Sequence, residues 1–403
     1  MLTDHGENAQ SPEPREVRRP RRTYLDHAAT SPLRPCAAQA MADTPALGNP
    51  SAVHGSGRAA RAMLEDAREE IAALLGVRPL EIILTSGGTE ADALAILGGL
   101  APQGRLWASS VEHPAVAGLA DPRLLGQRVS TIPVDGHGVA DLAGLTAGRE
   151  TAGQGRTDRR GPGPGDVVSL MMVNNETGAI QPVAEMARMA HDVGALAHTD
   201  AVQAFGHIDL NPAELGVDLI SISAHKIGGP VGIGALWVRR GVNLAPITAG
   251  GMQQAQVRSG TQAVMLARGF AAAARQAVEN LDRNRAQWQA WHDLIVAEMG
   301  RLPGVHVDDA PQTSPSICHL TIDRVRATDL LLVLDSAGID CSAGSACQAG
   351  VARPSSTMLA MGRSVDEAQG GLRISMGHTT TRKDIEQLLD VLPGAIETVR
   401  GAR

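Results

Sequence analysis

Seven short apolar runs rich in β-branched residues recur along the first two-thirds of this chain: 81–84 "EIIL", 105–108 "RLWA", 128–134 "RVSTIPV", 167–173 "VVSLMMV", 195–199 "ALAHT", 218–223 "DLISIS" and 233–238 "IGALWV". Helical patterns lie between several of them. In 57–75, Ala60, Met63, Leu64, Ala67, Ile71 and Leu74 share one face before Gly76 ends the helix. Strands alternating with helices predict an α/β fold: a mainly parallel seven-stranded sheet with helices on both faces. A parallel crossover needs a dozen or more residues. The gap between 218–223 and 233–238 is shorter, so that pair is expected to be antiparallel. After residue 264 the pattern changes to a long Ala-rich helix, then short strands and helices. The expected division is a tail at 1–22, a large domain at 23–264 and a smaller α+β C-terminal domain at 265–403. The first residues after the tail are expected to pack with the smaller domain.

Composition excludes several functions. The net charge is −7, which counts against nucleic acid as the main partner. No apolar run is long enough to span a membrane, and the polar N-terminus does not read as a signal peptide. Four cysteines, Cys36, Cys318, Cys341 and Cys347, are too few for a disulfide scaffold and match no common zinc pattern. They fit a reducing cytoplasm. The tail ends in "RRPRR" and reads as disordered, with a nucleic-acid contact as the sharper alternative. Residues 148–165, "GRETAGQGRTDRRGPGPG", read as a solvated surface loop.

One residue type is nearly missing. Of 36 basic residues, only Lys226 and Lys383 are lysine. Arg serves any ordinary surface role, but only a neutral lysine amine forms an imine, and a buried lysine shifts its pKa readily. Lys226 directly follows a predicted strand, where open α/β sheets place ligands. A surface lysine is the plain alternative. A lysine that holds pyridoxal phosphate needs an acid facing the pyridine nitrogen and an anion site for the phosphate. Asp200 ends the strand 195–199 and is either that acid or a helix N-cap. "TSGGTEADALAIL" at 85–97 runs strand, glycine turn, helix, which suits a phosphate. It is not a Walker loop.

The chain also resembles a known family. "YLDHAAT" at 24–30, "GNPSAVHGSGRAA" at 48–60, "TSGGTEADALA" at 85–95, "VEHPAV" at 111–116, "VNNETG" at 173–178, "HTDAVQAFG" at 198–206, "SAHKIGGPVGIGAL" at 223–236, "RSGT" at 258–261, "CSAGSACQAG" at 341–350 and "LRISMGH" at 372–378 resemble the cysteine desulfurases. These are pyridoxal-phosphate enzymes of the class V aminotransferase group, of fold-type I. The resemblance implies that Lys226 holds the cofactor and moves the substrate α-proton. It implies that Asp200 faces the pyridine nitrogen and that His113 stacks on the ring, although a polar loop histidine is the plain reading of that position. Asn175 and Gln203 would bond near the phenolic oxygen. Gly88, Thr89, Ser223 and His225 would hold the phosphate, and Thr261 would reach the phosphate of a neighbouring subunit in a homodimer. Arg373, otherwise one arginine among many, would clamp the substrate carboxylate with help from Asn175.

Cys347 would be the nucleophile. Its thiol needs activation, by His113 or by the substrate amine. The stretch 342–353 is dominated by Gly, Ala and Ser and is expected to be mobile. Cys341, Cys36 and Cys318 are expected to be structural. The implied reaction turns L-cysteine into L-alanine and leaves a persulfide on Cys347. The sulfur would pass to an acceptor protein, an iron–sulfur scaffold or a thiolation enzyme. A selenocysteine lyase, or another class V pyridoxal-phosphate enzyme, is the alternative. In "GGMQQAQVRSGT", Gln254 and Gln256 stand where the family usually has an acidic residue and glycine. That bears on loop geometry and dimer contacts rather than on the chemistry.

Overall fold

A computed structural model describes residues 21–45, 48–145, 161–344 and 353–402. The expected tail up to residue 20, residues 148–160 of the Gly/Arg/Pro stretch and the nucleophile candidate Cys347 lie outside the described residues. The strands, in chain order, are β1 Thr23–Tyr24, β2 Ile82–Thr85, β3 Leu106–Ser109, β4 Val129–Ile132, β5 Val167–Ser169, β6 Leu196–Asp200, β7 Leu219–Ser223, β8 Gly234–Val238, β9 Val305–Val307, β10 Ile317–Ile322, β11 Ile339–Asp340 and β12 Gly371–Ser375.

The seven expected strands form one sheet in the order β2-β8-β7-β6-β5-β3-β4. Every pair from β4 to β7 is parallel, and β8 runs antiparallel to both its neighbours. The short link from β7 to β8 has no room for a crossover helix, so β8 must turn back. The central strands are buried on both faces, which is why they read as unbroken apolar runs. The helix Gly55–Leu75 begins at His54, whose Nδ1 accepts from Gly57 N at 3.3 Å. It ends at Gly76, at φ 68°. Ala60, Leu64, Ala67 and Ile71 of the expected face are buried. Met63 and Leu74 sit at its margin, and Leu75 joins it.

A second sheet, β12-β10-β9, is antiparallel. Trp288, Ile295, Leu320, Ile374 and Leu388 build a separate core around it, and Leu25 joins that core. Next to Leu25, β1 pairs in parallel with β11. Two placements differ from the sequence pattern. The Ala-rich helix Val264–Glu279 packs in the larger core, burying Ala267, Phe270, Ala271 and Ala274 there. Alanines let it approach the helix Gly55–Leu75 closely, and the pattern could not say which core takes them. At the end of the Gly/Arg/Pro stretch, Gly161, Pro162 and Gly163 are buried rather than solvated. Gly163 N donates to Asp166 Oδ2 at 3.0 Å, and Gly165 O accepts from Ala101 N at 2.9 Å, so this end is held by bonds that composition does not show. Among the described residues, no helix is long and apolar enough to cross a membrane.

The free edge of β2 explains Gln254. An exposed edge strand offers unpaired N–H and C=O groups to another chain. Here the buried Gln254 amide takes them: its Oε1 accepts from Leu84 N at 3.0 Å and its Nε2 donates to Leu84 O at 2.6 Å. Arg68 Nη1 donates to Ile82 O, and its Nη2 donates to Gln254 Oε1 at 3.2 Å. One side chain thus stands in for a neighbouring strand. Gln256 meanwhile adopts φ 61°, a left-handed conformation that glycine takes freely. We predict that Gln254→Ala lowers unfolding stability by about 3 kcal/mol, because two buried backbone groups and a guanidinium lose partners. Urea denaturation measures it, and a change below about 0.5 kcal/mol contradicts the edge-closing role.

Candidate active site

A cavity of about 680 Å³ opens at the carboxyl ends of β6 and β7. Asp200 is the last residue of β6, and Ser223 the last of β7. After β7 the chain makes a single turn, His225–Ile227, which ends at Gly228 with φ 77°. A side chain at Gly228 would meet His378 Cε1 at 2.7 Å and Pro32 O at 2.9 Å. The carbonyls of this turn are all bonded by one segment. Ser31 N donates to His225 O at 2.9 Å, Ser31 Oγ to Lys226 O at 2.9 Å, Arg34 Nε to Ile227 O at 2.7 Å and Arg34 N to Gly228 O at 2.8 Å. The backbone of Lys226 is therefore fixed.

The Lys226 amine donates to Ala28 O at 2.7 Å and Ala29 O at 2.8 Å, two carbonyls and no carboxylate. Burial lowers its pKa to about 8, and the Arg373 guanidinium adds to this while Asp200 and Asp26 oppose it. Before cofactor binds, a useful fraction of the amine is thus neutral and nucleophilic near neutral pH. Lysine-selective isotope labelling gives a two-residue NMR spectrum of this chain. We predict that in cofactor-free protein the Lys226 signal titrates near pH 8, charged below and neutral above. The unfolded chain holds this proton more tightly. The cofactor-free fold therefore gains stability as pH rises from about 8 towards 10.5. Titration at the ordinary 10.5 would contradict the burial argument.

Asp200 Oδ1 accepts from Val202 N at 2.8 Å, an N-cap-like bond that sits alongside its place on the cavity wall. Burial raises its pKa, while His113 and Lys226 pull it down. Two further buried carboxyls line the cavity, and neither was singled out by motif. Glu112 Oε1 accepts from Ser109 Oγ at 2.6 Å and Met171 N at 2.9 Å, but its buried Oε2 has no partner among the described residues. Burial pushes its pKa up to about 8. Asp92 is raised as well, by burial first and then by the charge of Asp200. Three close carboxyls do not all ionise in such a site. Asp200 differs from the other two in that His113 and Lys226 both favour its charged form.

His113 caps the turn Pro114–Ala117 by accepting from Ala115 N at its Nδ1, 3.1 Å away. Burial lowers its pKa, so the neutral ring carries its proton on Nε2. Gly88 and Thr89 begin the helix Gly88–Gly99 beneath the cavity. A side chain at Gly88 would come 2.7 Å from Val202 Cγ2. The Ser223 hydroxyl is buried with no partner among the described residues. His225 Nδ1 lies 3.2 Å from Thr30 Oγ1. An unpartnered hydroxyl beside a helix N-terminus suits an anion.

Across the cavity, Arg373 on β12 is only 4% exposed. Its Nη1 donates to Asn175 O at 2.8 Å and its Nη2 to Asp26 Oδ1 at 2.7 Å, while its buried Nε has no partner among the described residues. Gln203 Nε2 donates to Ala28 O at 2.8 Å. Thr261 is exposed and lies outside this cavity. Gly344 and Arg353, the described residues that flank the Cys347 stretch, both line it. Cys341 packs against the smaller core and burial pushes its thiol pKa up. Cys318 is fully buried in β10, and Cys36 Sγ lies 3.5 Å from Ala272 O.

The aminotransferase class-V family model matches residues 23–388. The chain belongs to the class-V aminotransferase family. A relative from Mycobacterium tuberculosis, an IscS-like cysteine desulfurase, is 41% identical over 392 residues, covering 94% of this chain and 97% of that protein. The cysteine desulfurase IscS of Dictyoglomus turgidum is 37% identical, covering 94% of this chain and 96% of its own. Among solved structures, a NifS-like protein from Rickettsia africae has a TM-score of 0.82 at 28% identity, covering 93% of this chain and 99% of its own. The cofactor of this class-V member is pyridoxal 5′-phosphate. The residues present suit it: an amine able to lose its proton, a carboxylate in need of a cation, and a hydroxyl and helix end in need of an anion.

Proposed function

We propose that this class-V family member is a cysteine desulfurase that converts L-cysteine to L-alanine and takes the sulfur as a persulfide on Cys347. The observation that carries the reading is the pairing of two groups across one cavity. The Lys226 amine is held by carbonyls rather than by an acid, and the buried Arg373 faces the same space.

When bound, pyridoxal phosphate supplies an electron sink that weakens the substrate's Cα–H and Cβ–S bonds. Lys226 would hold it, Asp200 would keep its ring nitrogen protonated, and His113 would lie beside its ring. Gly88, Thr89, Ser223 and His225 would hold its phosphate, and Asn175 and Gln203 would serve its phenolic oxygen. Arg373 binds the substrate carboxylate, and its unpartnered Nε is available for this beside Asn175. The Lys226 amine would move the substrate's α-proton. The Cys347 thiolate forms a bond to the substrate sulfur as the Cβ–S bond breaks. The electron pair goes to Cβ, which gains a proton and becomes the methyl group of alanine. The persulfide then passes to an acceptor protein, an iron–sulfur scaffold or a thiolation enzyme, in the cytoplasm.

We further propose a homodimer in which Thr261 reaches the partner's phosphate site. Thr261 is exposed and away from its own cavity. Close to it in the chain, Met265 is exposed, as are Val53 at 88% and Val231 at 74%. Burying them would stabilise a dimer.

The functional test is product analysis with purified holoenzyme. L-cysteine should yield alanine and protein-bound sulfur in equal amounts. Release of a keto acid would make the protein a transaminase, and alanine from selenocysteine alone would make it a selenocysteine lyase.

A further inference from the structure

Glu176 is a buried carboxylate that the chemistry above does not use. Its Oε2 accepts from Ser355 Oγ at 2.6 Å and its Oε1 from Thr357 Oγ1 at 3.2 Å. Ser355 is also the N-cap of the helix Ser356–Ala360, its Oγ accepting from Met358 N at 3.1 Å. The other flank of the Cys347 stretch meets the same carboxylate. Gly344, at φ 79°, lies so close that a side chain there would sit 2.7 Å from Glu176 Oε2. Two residues before it, Ser342 exchanges backbone hydrogen bonds with Arg373, at 3.2 and 2.7 Å. The anchor is itself rigid. Asn174 Oδ1 accepts from the backbone N of Glu176 and of Thr177, each at 2.9 Å. Asn174 Nδ2 in turn donates to Val111 O at 3.1 Å.

We infer that Glu176 is a positioning residue: it bonds the flank 355–357 of the Cys347 stretch, packs against Gly344 on the other flank, and follows Asn175, whose carbonyl holds the arginine that binds the substrate carboxylate. The tie runs through adjacent residues. Asn175 O accepts from Arg373 Nη1, and Glu176 accepts from Ser355 and Thr357 and lies against Gly344. A substrate seated on Arg373 is therefore registered against Ser342, Gly344 and Ser355, described residues on either side of Cys347 in the chain. The inference rests on the reading of Cys347 as the nucleophile. It adds that the reach of that thiol is set by a carboxylate on the cavity wall to which no role in the chemistry above is given.

The test uses holoenzyme carrying Glu176→Ala, Glu176→Gln or Gly344→Ala. Misplacing a reacting group by an ångström costs up to about 100-fold, so kcat in Glu176→Ala should fall about 10- to 100-fold. Cofactor affinity and KM for cysteine should stay within about threefold, because Lys226 and Arg373 keep their contacts. Glu176→Gln still accepts one hydroxyl and should fall between. Gly344→Ala should resemble Glu176→Ala by pushing the carboxylate away. A purely structural role would not change the alkylation rate of Cys347 by iodoacetamide, read by mass spectrometry of that peptide; here it should rise several-fold. Wild-type kcat together with wild-type alkylation in Glu176→Ala overturns the inference, as does a loss confined to cofactor retention. If Glu176→Ala does not fold, Gly344→Ala and Thr357→Val carry the same readouts. Sulfur found on a residue other than Cys347 in the wild type would instead overturn the functional reading, and unchanged Cys347 alkylation would then count separately against Glu176.

Discussion

Lys226→Ala should fold normally, lose the visible absorbance of covalently held cofactor and lose turnover by about a thousandfold or more. The fold survives because the lysine's own polar contacts are few. Among the described residues its amine bonds only Ala28 O and Ala29 O, and Ala28 O keeps Gln203 Nε2. The amine faces a cavity, so no packed neighbour loses contact, and unfolding free energy should move by less than about 1 kcal/mol. Lys226→Arg separates charge from chemistry. It restores a cation at a place where this chain would otherwise use arginine, yet a guanidinium forms no imine. It should be as inactive as the alanine variant. An active Lys226→Arg, or borohydride reduction that fixes the cofactor to Lys383, would remove Lys226 from its role.

Cys347→Ser should bind cofactor and cysteine as the wild type does, yet release alanine at least about 100-fold more slowly. A hydroxyl is a far weaker nucleophile towards sulfur than a thiolate, and nothing else described near the cavity replaces it. Cys341 is held against the smaller core with its thiol pKa raised by burial, so it stays protonated and unreactive. Cys341→Ser should therefore remain largely active. The measurement is alanine release under saturating cysteine, with cofactor absorbance as the control for binding. Normal turnover by Cys347→Ser would contradict the assignment.

Much of this layout was legible before any coordinates. The β7–β8 reversal follows from a link too short to cross over, and the positions of Asp200, Ser223 and Lys226 follow from strand ends. Lysine scarcity drew attention to residue 226 without any partner being known. Other features are not encoded in local pattern. Gln254 reads as one polar residue in a loop, because its role depends on which strand lies at the edge of the sheet. Asp26 lay in view within "YLDHAAT", but its pairing with Arg373 joins residues 347 positions apart. Glu112 and Asp92 sit within quoted motifs, yet their raised pKa values come from burial, which a sequence window does not measure. Glu176 has the same history: its partners Ser355 and Thr357 are about 180 residues away, beyond any periodicity signal.

The most direct test of the central claim is a single turnover with sulfur-labelled L-cysteine, followed by digestion and mass spectrometry of every cysteine peptide. The account predicts one added sulfur atom on the peptide carrying Cys347, one alanine released per sulfur, and neither product from Lys226→Ala. Labelled sulfur on Cys341, Cys36 or Cys318, or alanine formed with no sulfur on the protein, would contradict it.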